Sequence, residues 1–102
     1  MPNQFEVFAH PTPKRSFYPY LLVLQHDGMP ISTDVIVAPL VNLPKHEWSR
    51  LYPEIEIGGR LLVLLTPALG RVPSWLLREN VGNGGDYRDR IIAAIDLVFA
   101  GS

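Results

Sequence analysis

Cysteine is absent from the 102 residues, which excludes disulfides and thiolate metal sites and fits a reducing compartment. A basic surplus is missing too. Nine Lys and Arg stand against ten Asp and Glu, a net charge of −1, whereas sequence-independent nucleic-acid binding needs an excess of cations. No apolar run approaches the length of a membrane span; Leu61 to Leu65 is far too short, so no membrane partner is expected. The first residues alternate Phe5, Val7 and Ala9 without an apolar h-region, so a secretory leader is not expected and the chain reads as cytoplasmic. Repeats and low-complexity tracts are lacking, and the length suits one domain spanning 1–102.

Turn formers are plentiful. Ten prolines and eight glycines punctuate short apolar segments, the pattern of strands joined by turns. Gln4 to His10 alternates as a strand, and Tyr18 to Gln25 is apolar enough to be a central strand covered on both faces. Asp34 to Val41 reads as a third strand, with Pro39 placed at an edge or a bulge because it has no N–H for a ladder. Pro44 allows a short helical turn within Leu43 to Leu51. Glu54 to Ile57, Gly58-Gly59 and Arg60 to Thr66 form the clearest local motif, a hairpin closed by two glycines able to take positive φ. Thr66 to Pro73 reads as a loop or bent edge, Ser74 to Val81 as a strand, and Gly82 to Gly85 as a flexible connector.

The last stretch, Asp86 to Ser102, carries a helical period. Asp86 suits the N-cap, and Asp89 adds a carboxylate near the positive end of the helix. Ile91, Ile92, Ile95, Val98 and Phe99 recur at three- and four-residue spacing and are expected to face the core. Ala93, Leu97 and Ala100 then fall on the outward face beside Asp89 and Asp96, an apolar stripe suited to docking another protein. Strands first and one helix last imply a mainly β fold, an antiparallel sheet with a C-terminal α-helix packed on it.

Catalytic patterns are sparse. His10, His26 and His46 lack metal-ligand spacing, so no metal and no cofactor are expected. Gly82-Asn-Gly-Gly85 precedes a helix but lacks the Lys-Ser/Thr of a phosphate loop, and Asp86 would repel a phosphate. Lys14 and Arg15 beside Phe17 and Tyr18 could hold single-stranded RNA through phosphate contacts and stacking, or simply be solvated cations next to core aromatics. Trp48 and Trp75 read as core or subunit-contact residues.

In order and spacing the chain resembles the CcdB toxins of bacterial toxin–antitoxin modules over almost its whole length. The landmarks are Gln4-Phe5, Tyr20 to Val23 with Gln25 and Asp27, Val37 to Leu40, Leu51-Tyr52-Pro53, Ile57-Gly58, Val72-Pro73 and Ile95 to Gly101. The resemblance implies a five-stranded antiparallel sheet with a small second sheet, related to the SH3-like barrels, in a homodimer that is not an enzyme. It further implies that the toxin binds the A subunit of DNA gyrase and traps the cleaved-DNA complex. A CcdA-like antitoxin neutralises it and joins it in repressing the operon, so DNA is met only through that complex. Carried onto this chain, the gyrase-binding positions are Asp96, Ala100, Gly101 and Ser102, with Gln4, Phe5 and His26 in support. Ala93 and Leu97 are the candidate dimer contacts. The chain departs from the family's best-known members, which have a tryptophan at the position of Ala100, an asparagine at Asp96 and an apolar last residue at Ser102. A second reading, a MazF-type endoribonuclease of the same general fold, would use Arg15 with His10, and a third is a non-toxic relative that only binds its antitoxin.

Overall fold

A computed structural model of the chain describes residues 2–11, 18–28, 33–42 and 50–101. The strands are β1 (Glu6–Ala9), β2 (Tyr20–Val23), β3 (Asp34–Val41), β4 (Glu54–Ile57), β5 (Arg60–Leu64), β6 (Gly70–Pro73) and β7 (Asn80–Asn83), followed by the helix α1 (Arg88–Ala100). All pairings are antiparallel, in the order β4-β5-β3-β2-β1-β7 with β6 added beside β3. The mainly β architecture with one C-terminal helix is therefore as expected, with the main and small sheets joined into one seven-stranded sheet. Its end strands β4 and β7 approach each other, so the sheet nearly closes into a barrel.

Apolar residues on both faces of the central strands dictate two cores. Val7, Leu22, Leu24, Ala38, Leu40, Ile55, Leu62 and Leu64 point to one side, where Ile91 of α1 joins them. Phe8, Leu21, Val23, Val35 and Val37 point to the other, covered by Leu77. The near-continuous apolar run of β2 is thus explained: each successive side chain enters a different core.

Pro39 lies neither at an edge nor in a bulge. It pairs with Leu21 inside β3, at a seam where the opposite neighbour changes. Residues Asp34 to Val37 pair with β6, and Leu40 and Val41 pair with β5, leaving Pro39 between the two partners. Its missing N–H falls where no ladder partner stands, and its carbonyl still accepts from the Leu65 N–H at 2.9 Å. The hairpin forms as expected, with Gly58 at φ 58° and Gly59 at φ 80°, the pair of positive values a tight two-residue turn requires.

Three expectations fail for physical reasons. Ser74 to Val81 is not one strand: Ser74–Leu76 turns as a 3-10 segment to drop Leu77 into the second core, and pairing starts only at Asn80. Gly82 to Gly85 is not a loose connector, because Gly82 and Asn83 belong to β7 and Gly85–Tyr87 is a 3-10 turn. Asp86 does not cap the helix; it lies within that turn, and the N-cap is Tyr87 with no side-chain bond. Strand ends also draw in, with β1 and β2 shorter than the apolar pattern and the return strand of the hairpin ending at Leu64. The helical turn proposed within residues 43–51 lies largely outside the described residues, as do Lys14, Arg15, Phe17, His46, Trp48 and Ser102.

Thr66 begins a 3-10 turn that packs beneath α1, and it is fully buried. Among the described residues its hydroxyl has no hydrogen-bond partner. A buried, unsatisfied hydroxyl is destabilising, and removing it without changing shape relieves that cost. Thr66→Val is expected to stabilise the fold by about 1 kcal/mol, raising the melting temperature by roughly 4–8 °C. Thermal unfolding followed by circular dichroism checks this.

Candidate functional site: the two ends of the last helix

The site residues named from the sequence fall into two groups, one at each end of α1. At the N-terminal end the chain turns through Asn3 to Glu6, closed by a Glu6 N–H to Asn3 carbonyl bond of 3.1 Å. Gln4 and Phe5 therefore form the corner of this turn, not the start of the first strand. Phe5 sits at φ 69°, the left-handed region that a side chain of this bulk rarely adopts. Its N–H donates to Val23 at 2.7 Å and its carbonyl accepts from Gly84 at 2.7 Å, so the backbone is fixed from both sides. The ring is buried in the first core with the Arg88 guanidinium 5.7 Å above it.

Gln4 ties this corner to the loop after β2. Its backbone N–H donates to Asp27 Oδ1 at 2.7 Å, and its side-chain Nε2 donates to the Leu24 carbonyl at 3.1 Å. Within the loop, the Gly28 N–H donates to His26 Nδ1 at 2.9 Å, holding the exposed imidazole in place. Gln4, Phe5 and His26 are thus brought to one small surface.

Asp96, Ala100 and Gly101 are at the other end of the helix. Arg88 and Ala100 are separated by about 18 Å along the axis, at 1.5 Å per residue. All three are exposed, and Gly101 ends the helix at φ 75°, donating its N–H to the Leu97 carbonyl at 3.1 Å. Of the outward stripe inferred from spacing, Ala93 and Ala100 are exposed, whereas Leu97 is half-buried.

The inward face differs from the expected one. Ile91 and Ala94 are the fully buried positions, Ile92, Ile95 and Val98 are half-buried, and Phe99 is 72% exposed. The buried line of the helix thus includes Ala94, and its main neighbour is the Thr66–Ala68 turn. Beyond Ala94 no helical residue is fully buried; Ile95, Leu97 and Val98 stay half-buried, while Asp96, Phe99 and Ala100 are exposed. Periodicity treats every turn of a helix alike and so concealed Phe99. Trp75 is 66% exposed and is not a core residue. Tyr18 is also partly exposed, while the cations of the proposed RNA-binding loop lie outside the described residues. Among the described residues no group of three His, Cys, Asp or Glu is placed to hold a metal, and no helix is long and apolar enough to cross a membrane.

A nearly closed antiparallel sheet carrying one C-terminal helix defines the structural class. The chain is similar to a mycobacterial endoribonuclease solved in complex with its cognate antitoxin, with a TM-score of 0.78 at 11% identity, covering 96% of this chain and 94% of that one. A second mycobacterial endoribonuclease gives a TM-score of 0.72 at 11% identity, over 95% of this chain and 89% of that one. At such identity the likeness is one of fold. No curated protein sequence matches. The model of the CcdB protein family matches residues 4–101, and the chain belongs to that family of toxins.

Proposed function

We propose that this toxin acts without catalysis, by binding the A subunit of DNA gyrase through the free end of α1 and trapping the enzyme on cleaved DNA. The observation that carries the reading is the exposed last turn, where Asp96, Phe99, Ala100 and Gly101 are available to a partner without disturbing the core. Such binding acts by population: a ligand that prefers one conformation of the gyrase gate shifts the gate toward it. A cognate antitoxin is the second partner, neutralising the toxin and repressing the operon with it. In a two-fold homodimer each copy would present one helix end, and Ala93 and Leu97 are small or flexible enough to lie near the axis. Ser102 would extend the contact.

Supercoiling and DNA-cleavage assays with purified gyrase test this directly. Accumulation of cleaved complex at micromolar toxin is expected; its absence rejects gyrase poisoning. The fold shared with solved endoribonucleases favours RNA cleavage as the second reading, with His10 and Arg15 as its candidates. Incubation with single-stranded RNA separates the two, since cleavage lost on Arg15→Ala would replace the gyrase reading.

A further inference from the structure

Of the four asparagines in the chain, Asn83 alone is followed by glycine. Such a pair is chemically labile, because the glycine amide nitrogen can attack the asparagine side-chain carbonyl with no Cβ to obstruct the approach. Asn3, Asn42 and Asn80 precede Gln4, Leu43 and Val81, whose side chains hinder the same attack.

The fold separates the two reacting groups. Asn83 ends β7 and is exposed, whereas Gly84 is buried. The Gly84 N–H donates to the Phe5 carbonyl at 2.7 Å, so the nucleophile is occupied. Asn83 Oδ1 accepts from the Gly85 N–H at 2.7 Å, which holds the electrophile in place. Everything then depends on Phe5, a bulky residue at φ 69° whose conformation is sparsely populated and persists only while its surroundings enforce it. The Gln4 N–H bond to Asp27 is one of those supports, and it lies on the exposed side of the corner.

We propose that Asn83–Gly84 is a deamidation site gated by the Phe5 corner, shut while the Gly84 amide is bonded and open when the corner lifts. In the open state the Gly84 nitrogen gives its proton to solvent and bonds to Asn83 Cγ. The bond from Cγ to the side-chain nitrogen breaks, ammonia leaves with a proton from water, and a cyclic succinimide remains. Water cleaves that ring at either carbonyl, leaving aspartate or isoaspartate in place of Asn83. No oxidant, reductant or cofactor enters. Isoaspartate lengthens the main chain by one methylene and carries the Gly84 N–H out of register with Phe5. Either product sets a carboxylate opposite Glu6, the partner of Asn83 in the β1–β7 ladder, where like charges repel. The modified seam is therefore weaker than the original.

The test is incubation of the full chain in mildly alkaline buffer, folded and in guanidinium chloride, followed by peptide mass mapping. Unfolded chain should convert at Asn83 ahead of the other asparagines, and folded chain at least about a hundredfold more slowly. Asp27→Ala removes the acceptor of the Gln4 N–H and should raise the folded rate about tenfold, compared at denaturant concentrations that give both chains equal global stability. Its rate when fully unfolded should match the wild type. Converted chain, once refolded, should unfold at a lower denaturant midpoint than unconverted chain. Equal rates in folded and unfolded chain overturn the gate, and so does an unchanged folded rate in Asp27→Ala. Conversion of unfolded chain no faster at Asn83 than at Asn3, Asn42 or Asn80 overturns the site, and an unchanged midpoint after conversion overturns the weakened seam.

Discussion

Ala100→Trp is expected to tighten binding to the A subunit of gyrase by about thirtyfold, the equivalent of roughly 2 kcal/mol for an aromatic anchor at the centre of an interface. The position permits the change. Ala100 is exposed on a helix turn that contributes nothing fully buried, so the indole meets solvent in the free protein and the fold is unaffected. Phe99, one residue earlier and 72% exposed, already offers one ring to a partner. The pair would then present two adjacent aromatic groups. Surface plasmon resonance against the immobilised gyrase polypeptide, with the wild type and Ala100→Trp side by side, reads the ratio. An unchanged affinity, with wild-type binding intact, would move the contact away from this end of α1.

Gly82→Ala is expected to destabilise the protein by about 1–3 kcal/mol, as overpacking of a closed core does. Gly82 lies on β7 at the seam with β4, and a Cβ there would come within 2.6 Å of Ile57 Cγ2. That atom is on a β-branched side chain inside the first core, so it has little freedom to withdraw. The two end strands must separate, and the near-closure of the sheet loosens with them. Gly70→Ala is the matched control: its added methyl meets nothing within 4 Å among the described residues, and its stability should stay within about 0.5 kcal/mol of the wild type. Urea unfolding of both variants gives the comparison, with a lower midpoint for the first alone.

What could be read in advance was whatever depends on local chemistry. Gly58-Gly59 requires positive φ in sequence as in space, and Asp34 to Val41 is a strand with the same bounds in both. β2 announced its two-sided burial through an unbroken apolar run. The errors lie where distant parts of the chain decide. Gly82 looked like punctuation because Ile57, which makes its small size necessary, is far away in sequence. Pro39 looked like an edge residue because the change from β6 to β5 beside it is a property of topology. Phe99 matched the helical period, yet it is exposed while Val98 beside it is half-buried, a difference set by what packs around α1. Of the candidate site, the helix end was indicated, and the resemblance named Gln4, Phe5 and His26 as supporting positions; the bond that ties Gln4 to Asp27 was not foreseen. Their separation to opposite ends of α1, and the left-handed Phe5 at one of them, required the three-dimensional arrangement.

Because Phe99 and Ala100 at the end of α1 are exposed, their side chains are chosen under no obligation to the core. Charge, ring or methyl group can be exchanged at those two positions while the melting curve stays where it is. A target can therefore be gained, weakened or abandoned by single substitutions, and the scaffold would register none of them.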